Sequence, residues 1–192
     1  MGAKEAIKVI LAGVGGIGKS SVLYRYIKKA FMADYQMTIG ADFKSTTINL
    51  ENKEMNFIIW DLAGQDQFRF LFHSYFKGAL GVLYFYDLTN AFSTLQNLKE
   101  FIELNKNFNN FYKSNKCVQF LIGNKLDCIE GGVKNVDNGP LEYFLKENLD
   151  YKFQRTYMTS AKTGENIGSI FTDLGREILK LRYQENTNSQ SP

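Results

Sequence analysis

Gly13-Val14-Gly15-Gly16-Ile17-Gly18-Lys19-Ser20 fits the spacing G-x-x-x-x-G-K-[ST], which can wrap a chain of phosphates. Glycines let successive backbone N–H groups turn inward around phosphate oxygens. The helix expected to follow adds positive potential at its N-terminus. Lys19 reaches β- and γ-phosphate oxygens, and Ser20 offers a hydroxyl to Mg²⁺. The phosphate-binding set is Gly13, Gly15, Gly16, Ile17, Gly18, Lys19, Ser20 and Ser21. This motif predicts a phosphate site and does not name a base.

Asn124-Lys125-Leu126-Asp127 follows the apolar run that ends at Ile122-Gly123. Strand ends carry the ligand loops in open α/β sheets. The Asp127 carboxylate can accept from both N1–H and N2–H₂ of guanine, a donor pair that adenine lacks. Asn124 can brace the loop through its amide, and the Lys125 stem can lie along the flat base. Ser160-Ala161-Lys162 follows the last strand-like run, Phe153 to Tyr157, where the Ala161 N–H can meet guanine O6.

Trp60-Asp61-Leu62-Ala63-Gly64-Gln65 also follows a strand-like run. Asp61 is placed to help hold Mg²⁺ through water, Gly64 to offer its N–H to a γ-phosphate, and Gln65 to orient the attacking water. Thr38 lies between the first helix and the second strand, and its hydroxyl joins Mg²⁺ only when its loop folds over a triphosphate. Ser20, Thr38 and Asp61 are thus the candidate metal ligands; Lys19, Gly64 and Gln65 are the candidate catalytic residues. Two loops answering to one phosphate make an order–disorder switch. A P-loop ATPase or kinase is the first rival reading, and a GTP-bound module that barely hydrolyses is the second.

These loops need rigid elements behind them. Apolar strand-like runs at 7–12, 81–86 and 118–122 alternate with helical patterns at 21–30 and 167–181. Runs at 43–50 and 55–60, separated by Glu51-Asn52-Lys53, read as an antiparallel hairpin. Leu95, Leu98, Phe101 and Ile102 form the inward stripe of a further helix. The pattern predicts an α/β P-loop NTPase fold of three layers. Its sheet is six-stranded and mostly parallel, with one antiparallel strand and helices on both faces. Residues 1–184 are expected to form a single domain, 185–192 a flexible tail, and Glu130–Pro140 a surface loop.

With 44% hydrophobic residues in 192, the chain can bury a sizeable core. A net charge of +3 is too small to imply nucleic acid. Cys117 and Cys128 make no disulfide framework and fit a reducing, cytoplasmic setting. No apolar run approaches the roughly 18 residues of a membrane span. With no cysteine after Cys128, no direct lipid anchor is expected in this chain, and any membrane would be reached peripherally through a partner.

From about Ile7 to Leu181 the sequence resembles the Ras-superfamily small GTPases, and most of all their Rab branch. The segments that carry the likeness are Ile39-Gly40-Ala41-Asp42-Phe43, Phe57-Ile58-Ile59-Trp60, Tyr75-Phe76-Lys77-Gly78-Ala79 and Tyr86-Asp87-Leu88-Thr89. The resemblance implies a monomeric switch that binds GTP or GDP with Mg²⁺, hydrolyses GTP slowly and serves vesicle traffic. It places Phe31 edge-on to guanine and Tyr35 over the γ-phosphate. It also implies that effectors, an exchange factor and an activating protein meet residues 31–43 and 61–79, with Phe43, Trp60 and Tyr75 as the contact aromatics. The chain departs from the Rab pattern in its missing prenyl cysteines, in Gly15, in Asp66 after Gln65, and in the long 130–140 segment. Arg69 is not placed to act in cis, and the lone His73 is read as a bystander.

Overall fold

A computed structural model describes residues 6–31, 37–50, 53–64 and 74–188. Its strands are β1 (Ala6–Ala12), β2 (Ala41–Leu50), β3 (Lys53–Leu62), β4 (Gly81–Asp87), β5 (Val118–Asn124) and β6 (Arg155–Met158). Its helices are α1 (Lys19–Lys28), α2 (Ala91–Phe108), a single turn α3 (Asn110–Lys113), α4 (Gly139–Glu147) and α5 (Ile167–Asn188). The sheet order is β2-β3-β1-β4-β5-β6. Only the β2–β3 pair is antiparallel, running from Ala41 opposite Leu62 to Leu50 opposite Lys53. The other neighbours are parallel.

Helices on both faces explain the sequence of the central strands. Every residue of β4 and β5 is buried, as expected of parallel strands covered on both sides. Alternate β1 side chains serve the two layers. Val9 and Leu11 join a core with Val22 of α1 and Phe171 and Leu174 of α5. Ile10 and Ala12 join a second core with Leu98 and Ile102 of α2 and Phe144 of α4. The Tyr26 and Phe171 rings stack 3.9 Å apart and tie α1 to α5. All the parallel strands end at the same edge, so the loops after β1, β3, β4, β5 and β6 converge there.

Three segments differ from the pattern read in sequence. The last strand begins at Arg155 rather than Phe153, because Phe153 packs edge-on against Tyr84, with ring centres 5.9 Å apart. The 130–140 segment is partly ordered into elements. Gly132–Asn135 forms a 3-10 turn, and Gly139 and Pro140 start α4, where proline suits the first helical turn. Helix α5 runs to Asn188, beyond residue 184 where the polar tail was expected.

Candidate functional site

The turn 13–18 leaves β1 and enters α1. Gly18 begins the helix at φ 88°, and a Cβ there would lie 2.5 Å from the Asn124 amide nitrogen. Glycine thus permits both the left-handed backbone and the close approach of a second loop. Lys19 follows and is buried. Its Nζ donates to the Gly13 and Val14 carbonyls at 2.8 and 2.9 Å, which leaves one ammonium hydrogen for a ligand. Burial pulls the Lys19 amine down to about 8, against the opposing charge of Asp61. Gly15 N–H donates to the Gly64 carbonyl at 3.1 Å. A Cβ on Gly64 would fall 2.1 Å from Gly15 N and Val14 C, so only glycine allows this approach.

Ser20, Thr38 and Asp61 meet at the foot of this turn. Ser20 Oγ and Thr38 Oγ1 share a hydrogen bond of 2.9 Å, and Thr38 Oγ1 donates to Asp61 Oδ2 at 3.5 Å. Asp61 is 1% exposed. Among the described residues its buried Oδ1 has no hydrogen-bond partner, a costly condition for an acceptor. Burial raises the Asp61 carboxyl, opposed by the Ser20 and Thr38 hydroxyls and the Lys19 charge. Two hydroxyls and one carboxylate with an unused oxygen fit a hard divalent cation. Among the described residues there is no group of three His, Cys, Asp or Glu side chains that could hold a metal. Such a sparse oxygen set suits Mg²⁺, which keeps several waters and shares substrate phosphates.

About 240 Å³ of cavity lies at the other end of the turn, lined by Gly16, Gly18, Ser21, Phe31, Asn124, Lys125, Asp127, Ala161 and Lys162. Asn124 crosses between loops. Its Nδ2 donates to Ile17 O at 2.9 Å, while its Oδ1 accepts from Thr159 Oγ1 at 3.2 Å and Ala161 N at 3.3 Å. Asp127 Oδ1 accepts from Ser160 Oγ at 2.5 Å. The Ser160 oxygen in turn accepts from Thr163 N at 3.0 Å. Lys125, at φ 70°, places its Nζ 2.6 Å from Asp87 Oδ2. The cavity wall is therefore braced across four segments, three of them through side-chain pairs and the turn 13–18 through the Ile17 carbonyl.

Sequence reasoning missed Asp87 and Thr159 as parts of this wall. Burial works to raise the Asp87 carboxyl, but hydrogen bonds from Lys125 and Thr89 override it and hold the group below its ordinary value. A lone aspartate ending an otherwise apolar buried strand was the available signal, since that edge of the sheet carries the ligand loops. Tyr35, Gln65, Asp66, Arg69 and His73 lie outside the described residues. The three aromatics do come together. Phe43 packs edge-on to Trp60 at 4.5 Å, and Trp60 lies 5.4 Å from Tyr75. Phe43 is 51% exposed, whereas Trp60 and Tyr75 are partly buried. Lys8 Nζ sits 3.8 Å from the centre of the Trp60 ring.

Known proteins resemble this chain in sequence over nearly its whole length. The sequence model of the Ras family matches residues 8–180. The GTP-binding protein ypt2 of Schizosaccharomyces pombe is 37% identical over 178 residues, covering 92% of this chain and 82% of that protein. Ras-related protein Rab-8 of Diplobatis ommata is 35% identical over 183 residues, 95% of this chain and 82% of its own. Ras-related protein Rab-10 of Caenorhabditis elegans is 34% identical over 186 residues, 96% of this chain and 86% of its own.

Proposed function

The chain belongs to the Ras family as a Rab-like small GTPase, and on that premise we propose which of its residues bind and hydrolyse the nucleotide. The observation that carries the assignment is the order of groups beside the turn 13–18. Asp127 and Ala161 line the cavity that Gly18 also lines, and Lys19 and the Ser20 of the Ser20–Thr38–Asp61 corner follow Gly18 directly. That order suits a flat base at one end and a phosphate chain at the other.

Asp127 Oδ2 and the unshared lone pairs of Oδ1 accept from guanine N1–H and N2–H₂, and Ala161 N–H donates to O6. The Phe31 ring closes the base edge. Backbone N–H groups of 13–18 and the amine of Lys19 hold the phosphates. Ser20, Thr38 and Asp61 hold Mg²⁺, which neutralises charge on the β- and γ-phosphate oxygens when bound. Gln65 orients water in line with the β–γ bond, Tyr35 covers the γ-phosphate, and Gly64 N–H stabilises charge on it. Catalysis is then positioning and charge stabilisation without a general base.

Slow intrinsic turnover follows, raised roughly 10³–10⁵-fold by an arginine from an activating partner. Gly15 carries no side chain to block that approach. Phe43, Trp60 and Tyr75 form the surface read by effectors, in vesicle traffic. No helix among the described residues is long and apolar enough to cross a membrane, and the proposal places membrane contact at the periphery, through a partner. Denaturing the purified protein and running the supernatant on ion exchange beside standards tests the base assignment. GDP, with or without GTP, is expected. ADP or ATP would overturn it.

A further inference from the structure

Arg25 lies two turns along α1 from Lys19, outside every motif used so far. Among the described residues its guanidinium makes three contacts, all to backbone carbonyls. Nε donates to Ala161 O at 2.9 Å, Nη2 donates to Lys162 O, and Nη1 reaches Lys29 O at 3.3 Å. The first two bridge 136 and 137 positions of sequence. The third closes the C-terminus of α1, where Lys29 at φ 56° returns its own N–H to Arg25 O at 3.0 Å. A planar fork can grip two successive carbonyls in one orientation; a lysine ammonium offers only a point charge.

We infer that Arg25 is a positioning residue for guanine recognition, acting through the backbone of residues 161–162. The 160–164 loop is held from two sides. On the cavity side Ser160 Oγ is fixed on Asp127 at 2.5 Å. On the helix side Arg25 takes the Ala161 and Lys162 carbonyls. Ala161 O lies in the planar 161–162 peptide and Lys162 O in the planar 162–163 peptide, so gripping both fixes the two peptides that directly follow the 160–161 peptide, which presents Ala161 N–H, and limits rotation of that part of the loop. That N–H makes only a long contact with Asn124 Oδ1, 3.3 Å, and so has a donor ready for a ligand acceptor. Because α1 also begins with Lys19 and Ser20, one rigid helix sets the distance between phosphate corner and base loop. Six residues at about 1.5 Å rise make that bar roughly 9 Å long.

This inference rests on the guanine reading of the cavity, and its test separates the two. Dissociation constants are measured for GDP and 6-thio-GDP, whose sulfur accepts a hydrogen bond less well than O6 while N1–H and N2–H₂ are kept. They are compared in wild type, Arg25→Ala and Arg25→Lys, with thermal unfolding alongside. Wild type is expected to prefer GDP. In Arg25→Ala, GDP binding is expected to weaken by about 3- to 10-fold, and the preference over 6-thio-GDP to shrink. Arg25→Lys restores stability but not the full preference, and it supplies the reading if the alanine variant does not fold. An unchanged GDP to 6-thio-GDP ratio in both variants, with only a lower unfolding temperature, would overturn the inference. Wild type that binds neither guanine nucleotide would overturn the guanine reading beneath it.

Discussion

The two ends of the nucleotide surface are built in opposite ways. At the base end, Asn124 uses its amide nitrogen and oxygen together, Ser160 holds Asp127, and Lys125 is paired with Asp87. At the metal end, a buried Asp61 oxygen has no partner among the described residues, and the Thr38 contact to the same carboxylate stretches to 3.5 Å. A cleft of about 510 Å³ also opens there between α1 and β2, beside Ser20 and Asp61. The difference teaches where a switch can respond. A polar wall that satisfies itself is already arranged to receive a base. An acceptor left unsatisfied at 1% exposure stores a cost that an incoming cation relieves. Only the second kind of site is expected to change its neighbours when phosphate is gained or lost.

Gly64→Ala should break the phosphate end alone. The new Cβ would meet Gly15 N and Val14 C at 2.1 Å, so the segment after β3 must withdraw. Loss of one donor to the reacting phosphate typically costs about 10²–10³ in rate. Single-turnover GTP hydrolysis should fall by that order while GDP affinity stays within about threefold, since the base wall keeps its hydrogen bonds. An equal loss of GDP affinity would mean that the two ends are not separable.

Lys125→Met sharpens the contrast from the other side, with a smaller effect. The folded Asp87 pKa is depressed from 3.8. Its contribution is therefore complete above that value and is lost as pH falls through the lower folded pKa. The Lys125 side chain is 34% exposed, so the pair is worth no more than about 1 kcal/mol. Urea unfolding at pH 6 should show the variant less stable by up to that amount. The gap should close progressively as the pH is taken below 3.8. A gap independent of pH would assign the loss to packing of the lysine stem.

Much of this is legible in the residue types and their spacing. The glycines and Lys19 name a phosphate turn because their spacing is a backbone geometry written in residue types, and the largely apolar β4 and β5 announce a sheet covered on both faces. Asn124, Asp127 and Ser160 could be named from short motifs. Their mutual bracing could not, because it joins residues tens of positions apart with no local pattern. Asp87 carried a local mark as the carboxylate that ends an apolar strand, but its pairing with Lys125 did not; Arg25 had no mark at all, because its partners are carbonyls, which every residue has. Phe153 deceived the strand pattern because its ring serves Tyr84 rather than a ladder position.

Asp127→Asn, titrated with GDP and with XDP, decides whether this wall reads guanine. The carboxylate that accepts from two guanine donors becomes an amide whose N–H₂ suits the xanthine O2 instead. GDP affinity should drop roughly 10²–10⁴-fold, as two hydrogen bonds to a charged group are lost, and XDP should become the tighter ligand. GDP affinity equal to that of wild type would contradict the assignment of this wall to the guanine base.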